Sequence, residues 1–113
     1  MLAKKNRLGK KGLNQLHKSN PHVIHSSLVT VKFARLPQQS VFEAAVVVSK
    51  KVSKKAVVRN RIRRKIYSFL RRRLEAFPAD LSLLILVKRL PTEREEYDLG
   101  SGLERILHQC IHT

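Results

Sequence analysis

Half of residues 50–73 are Lys or Arg and none is acidic. Guanidinium and ammonium groups at that density suit one kind of chemistry, the neutralisation of a polyanion with release of its counterions, in which arginine forks take phosphate oxygens two at a time. The charges in question are Lys50, Lys51, Lys54, Lys55, Arg59, Arg61, Arg63, Arg64 and Lys65, with Asn60 among them. Left unpaired they repel one another and weaken the compact state, so a partner of opposite charge is expected. Groups for covalent chemistry are scarce. Five of the eight acids, Glu93, Glu95, Glu96, Asp98 and Glu104, crowd into residues 93–104, where they offset a helix macrodipole and act as capping charges. His108 and His112 share a helix face at i, i+4, but Cys110 points elsewhere and no second ligand pair accompanies them, which favours surface histidines over a metal site. There is no phosphate-cradling glycine loop. The expectation is a binder with no catalytic residue and no metal of its own.

These charges need a scaffold, and the hydrophobic pattern describes one. Val58, Ile62, Ile66, Phe69, Leu70, Leu74 and Phe77 fall within one arc at about 100° per residue, so a long helix closed by Pro78 is predicted. Asn60, Arg61, Arg64, Lys65, Arg71 and Arg72 take the opposite side. Residues 28–36 read as a strand with Val29, Val31 and Phe33 on one face and Thr30 and Lys32 on the other. After a turn at 37–40, residues 41–48 read as a second strand, whose unbroken Ala44, Ala45, Val46, Val47, Val48 run suggests burial on both faces. A polar connection, 49–55, leads into the long helix, and residues 81–87 form a strand after it. Strand, helix, strand is a βαβ unit with a parallel pair.

The ends are less regular. Residues 1–22 carry six lysines and arginines and no acid, a basic arm over 1–11 and then a short helix around 12–18 with Leu13 and Leu16 inward, ended by Pro21. Thr92 with Glu95, and Ser101 with Glu104, are alternative capping boxes for the last helix. Gly100 and Gly102 favour a break or a late start, followed by an apolar stripe of Leu103, Ile106, Leu107 and Cys110.

The whole chain, 113 residues with 24 basic against 8 acidic side chains and a net charge of +16, reads as one domain, 1–113. Nucleic acid is the default partner and an anionic membrane surface the runner-up. No apolar run approaches the length of a membrane span, and the N-terminus lacks the apolar core of a secretory signal. A cytoplasmic location is expected, and the lone Cys110 forms no internal disulfide. Single-stranded RNA recognition adds stacking surface to charge, and Phe33 is the best-placed aromatic for it, with a place in the core as the alternative.

The run Val48-Ser49-Lys50-Lys51-Val52, followed by Ala56-Val57-Val58-Arg59-Asn60-Arg61-Ile62-Arg63-Arg64, resembles the signature of the bacterial ribonuclease P protein family. Lys4-Lys5-Asn6-Arg7-Leu8 resembles that family's basic entry, and residues 80–88 its strand after the long helix. The resemblance implies an α+β fold, a single-domain α/β sandwich of ribosomal-protein-like type in the order αβββαβα. It also implies a left-handed βαβ crossover, against the usual right-handed rule. By the same resemblance the protein assists a catalytic RNA in endonucleolytic removal of the 5′ leader of precursor tRNA, with magnesium held by the RNA and no cofactor on the protein. Its partners would be the catalytic RNA and precursor tRNA, with neither membrane nor DNA. Lys50, Lys51, Lys54, Lys55, Arg59, Asn60, Arg61, Arg63, Arg64 and Lys65 would face the RNA subunit. Leu13, His17, Phe33, Val46 and Val48 would line the cleft that takes the leader. Three positions and one connection depart from the family pattern. Leu13 and His17 stand where two Phe residues are usual, Tyr67 stands where a further basic residue is common, and the connection 52–55 lacks its frequent Gly. The rival readings are a ribosomal or other structured-RNA-binding protein, and a DNA-architectural or membrane-surface protein.

Overall fold

Alternation along the strands decides which side of the sheet each helix covers. In the computed structural model, which describes residues 2–112, strands β1 (His22–His25), β2 (Val29–Arg35), β3 (Glu43–Val48) and β4 (Leu81–Val87) form one sheet in the order β1-β2-β4-β3. β2 runs antiparallel to β1 and β4, whereas β3 and β4, joined through helix α2 (Ala56–Arg72), are parallel. One face presents Val29, Val31, Phe33, Ala44, Val46, Val48, Leu81, Leu83, Ile85 and Val87. These pack with Ile62, Ile66, Phe69 and Leu70 of α2, and with Leu99, Leu103, Leu107 and Cys110 of helix α4 (Leu99–Ile111), in the main core. Helix α1 (Lys10–Lys18) lies on the other face, where Leu16, with Leu8, meets Ala34 and Leu84.

The element order is αβββαβ followed by two helices, because the C-terminal helical segment breaks at Asp98 into α3 (Glu93–Tyr97) and α4. Both parts of the Thr92 capping box form. Thr92 Oγ1 accepts from the Glu95 amide at 3.1 Å, and Glu95 Oε1 accepts from the Thr92 amide at 2.9 Å. The late start at Ser101 does not occur, since α4 begins at Leu99 and already contains Gly100. That glycine permits close packing, because a Cβ there would stand 3.3 Å from the Phe69 ring.

Three other expectations are corrected. Two-sided burial belongs to β4, an inner strand, and not to β3, an edge strand, where Val47 is 42% exposed. The long helix stops at Arg72. A 3-10 turn over Leu74–Ala76 then redirects Phe77, which stacks on Phe42 at 4.3 Å. The first helix starts earlier than expected, at Lys10, and closes at Lys18 with Ser19 as its C-cap, ahead of Pro21; Asn20 between them takes the left-handed conformation that asparagine tolerates (φ 57°). β1, absent from the alternation pattern, supplies the first of the three strands that the family resemblance implies.

The outer edge of β3 is closed by side chains and by the basic arm. Leu8 donates its amide to the Ala44 carbonyl (2.9 Å), Asn6 Nδ2 donates to the Phe42 carbonyl (2.8 Å), and the Tyr67 hydroxyl accepts the Val46 amide (3.1 Å). An edge so covered cannot template pairing with another chain. Tyr67 thereby explains one departure from the family pattern. A lysine or arginine at this position has no acceptor for that amide.

Glu95 couples this fold to pH. Its carboxylate accepts from both terminal guanidinium nitrogens of Arg89 (2.7 and 2.6 Å) as well as from the Thr92 amide, and the Arg89 bond above all holds its pKa at about 2 against an ordinary 4.5. A depressed carboxylate stabilises the fold above its unfolded pKa and loses that contribution as pH falls toward the folded one. Thermal midpoints measured between pH 5 and pH 2 should therefore fall less steeply for Glu95→Gln than for the parent chain. Parallel curves would remove Glu95 from the acid response.

Candidate nucleic-acid interface

The basic helix α2 has two polar flanks, and the fold treats them differently. On one, Arg61 holds both carboxylate oxygens of Glu96 on α3, at 3.0 and 3.1 Å, and Lys65 Nζ lies 2.5 Å from the same carboxylate. The bonds from Arg61 and Lys65 lower the pKa of Glu96, and the guanidinium of Arg61 is raised in turn. Beyond them Arg73 pairs with Glu104 at 3.2 Å and lies 4.1 Å over the Phe69 ring. This flank is partly compensated within the chain.

The other flank is open. Arg63 Nη1 donates to Asn60 Oδ1 (3.1 Å), which aligns the guanidinium without neutralising it. Arg64 has no partner among the described residues, and Asn60, Arg63, Arg64 and Tyr67 border a hollow of about 220 Å³. One turn earlier Arg59 donates to the Ser53 carbonyl (2.9 Å), tying the connection to the helix. Lys50, Lys51, Lys54 and Lys55 of that connection are all exposed. The first turn of α2 has no acid and no side-chain cap, so the positive end of its macrodipole adds to Lys54 and Lys55. The result is a stripe of fixed positive charge from the end of β3 along one side of α2. Of the ten residues expected to face RNA, eight lie along this stripe, and Arg61 and Lys65 are engaged by Glu96.

The expected cleft does not assemble from the residues named for it. Phe33, Val46 and Val48 are 3, 6 and 5% exposed and lie in the core beneath α2 and α4. Phe33 also stacks on His22 of β1 at 5.2 Å. Leu13 and His17 are on α1, across the sheet: Leu13 is half-buried against the smaller cluster, and His17 is exposed one turn further on. Side chains alternate along a strand, so a shift of one residue exchanges the faces. The residues that share the α1 side are Val23, Lys32 and Val47, as the pairs Val23↔Lys32, Lys32↔Leu84, Ala45↔Leu84 and Val47↔Leu86 require. Val23 is 44% exposed, so an open surface of mixed apolar and basic character lies beside α1. Its signal in the sequence is Lys32, a charged residue in the middle of a paired strand. At the C-terminus, the rings of His108 and His112 lie 4.3 Å apart, while Cys110 is in the core, where burial pushes its thiol up to about 12.

A family model described as Ribonuclease P matches residues 2–110. Among curated proteins, a ribonuclease P protein component of Prochlorococcus marinus strain MIT 9303 is 45% identical over 68 residues, and one of Synechococcus sp. strain WH7803 is 39% identical over 67. Those matches cover 58% of this chain and 53% and 51% of the relatives, so the aligned part spans about half the length of each. Among solved structures, the Staphylococcus aureus RNase P protein superposes with a TM-score of 0.80 at 20% identity, covering 93% of this chain and 94% of that one. The Thermotoga maritima RNase P protein gives 0.65 at 16% identity, with the same coverage.

Proposed function

We propose, on the premise that this chain belongs to the Ribonuclease P family, that it is the protein subunit of a ribonuclease P ribonucleoprotein and helps a catalytic RNA remove the 5′ leader of precursor tRNA. The observation that carries the reading is the open stripe of Lys50, Lys51, Lys54, Lys55, Arg59, Asn60, Arg63 and Arg64 in one continuous strand-turn-helix segment. Rigid forks and lysines aligned along a helix suit the regularly spaced phosphates of a folded RNA. Hydrolysis belongs to the RNA and the magnesium it holds. The protein contributes charge and position, binding the RNA subunit through the stripe and the leader across the sheet.

The leader's place in this reading is the open surface beside α1, with Lys32 meeting a phosphate, Val23 and Val47 beneath the chain, and Leu13 and His17 at the border. A single imidazole in place of a Phe pair leaves stacking weak there, so backbone charge dominates the hold on the leader. The work is cytoplasmic, where precursor tRNA of a bacterial cell is made. Competition at equal salt tests the reading: the protein should bind a ribonuclease P RNA transcript more tightly than a ribosomal RNA fragment, duplex DNA or anionic vesicles. Equal affinity for all four would reduce the stripe to nonspecific charge.

A further inference from the structure

One acid of α3, Glu96, reaches the basic helix α2. Glu96 is enclosed, with its side chain 14% exposed, while its two cations, Arg61 and Lys65, remain 49 and 46% exposed. Two oxygens in the fork of an arginine, one of them shared with a lysine, is the coordination that such a pair would offer a phosphate. α3 is fixed independently by the Thr92 capping box and by Arg89 on Glu95, so the carboxylate is delivered from a short helix anchored at its start.

We propose that Glu96 is an internal phosphate mimic: it occupies the Arg61 and Lys65 cradle, withholds both cations from the RNA subunit, and confines phosphate contacts to the Asn60, Arg63 and Arg64 flank. The inference rests on the RNA-binding reading above. A helix basic on all its exposed sides would take RNA in several rotational settings, and neutralising one flank leaves one setting favoured. Glu96 thus acts as a specificity determinant that touches no RNA.

The consequences are measurable in the salt dependence of binding to a ribonuclease P RNA transcript. Each phosphate neutralised contributes a slope of about 0.7–0.9 in log K against log salt. Glu96→Gln should steepen the slope by up to two such increments and tighten binding about 10-fold or more at moderate salt. Arg61→Ala in the parent chain should leave the slope unchanged, yet lower it by one increment in the Glu96→Gln background. Circular dichroism of Glu96→Gln checks that α3 persists, and Arg61→Ala in the parent chain tests the same point without touching α3. A slope lowered as much by Arg61→Ala as by Arg64→Ala overturns the mimic, as does an unchanged slope in folded Glu96→Gln. Arg64→Ala separates the two ideas: if it too leaves the slope unchanged, the RNA-binding reading itself fails.

Discussion

Replacing Arg63 and Arg64 together with alanine should weaken binding of the catalytic RNA by about 20-fold at near-physiological salt and flatten the salt dependence by about 1.4–1.8 units. Two phosphates left without their arginines, at about 0.7–0.9 each, give that slope, and extrapolation from 1 M salt, where such charges contribute little, gives the affinity. Both side chains lie on the open flank, and neither pairs with an acid among the described residues. Their removal leaves no carboxylate orphaned, so stability should move by less than about 0.5 kcal/mol. Arg73→Ala is the contrast. It breaks the Glu104 pair and the packing on the Phe69 ring, so its effect should fall on stability and spare RNA affinity. Equal loss of affinity from both substitutions, measured by titration at two salt concentrations, would mean that only total charge matters.

Phe33→Ala should destabilise the fold by about 3–5 kcal/mol, the usual cost of truncating a core phenylalanine, and lower the thermal midpoint by more than about 10 °C. The ring is 3% exposed and stacked on His22, beneath the helices that bury the sheet. Phe33→Leu, milder in volume, should keep the preference for precursor over mature tRNA unchanged in the holoenzyme. Its neighbour Lys32 gives the opposite profile. Lys32→Ala should leave the midpoint nearly where it is and reduce the precursor preference by several-fold, because that side chain lies on the open face beside α1. A normal midpoint in Phe33→Leu with precursor preference lost would put the leader on the other face of the sheet.

The adjacent pair shows how far the sequence can be read and where it stops. Alternation correctly puts Phe33 and Lys32 on opposite faces, but which face meets α1 is decided by the path of the basic arm, whose Leu8 pairs with Ala44 across the β3 edge. No local pattern encodes that path. The stripe of Ile62, Ile66, Phe69 and Leu70 was legible because burial against a sheet imposes the helical period. Leu74 and Phe77 extend the period past the helix end, since their burial comes from a 3-10 turn and the Phe42 ring. β1 has four residues, two of them histidines, and exists through its pairing with β2. Glu96 stands out only as one of several acids near a helix start, because its partner Arg61 is 35 residues away in the chain. The open stripe was readable because strand, connection and helix carry it contiguously. Its division into an open and a partly compensated flank depends on that remote pairing.

Cleavage of precursor tRNA with a leader several nucleotides long tests whether this chain is the protein subunit of a ribonuclease P. The assay uses ribonuclease P RNA from the same source at a magnesium concentration too low for the RNA to act well alone. Addition of the protein should raise the rate of cleavage at the leader junction and release a mature 5′ end, with less stimulation from the Arg63→Ala, Arg64→Ala variant. A rate unmoved by the protein, or moved equally by an unrelated basic protein of the same net charge, would contradict that assignment.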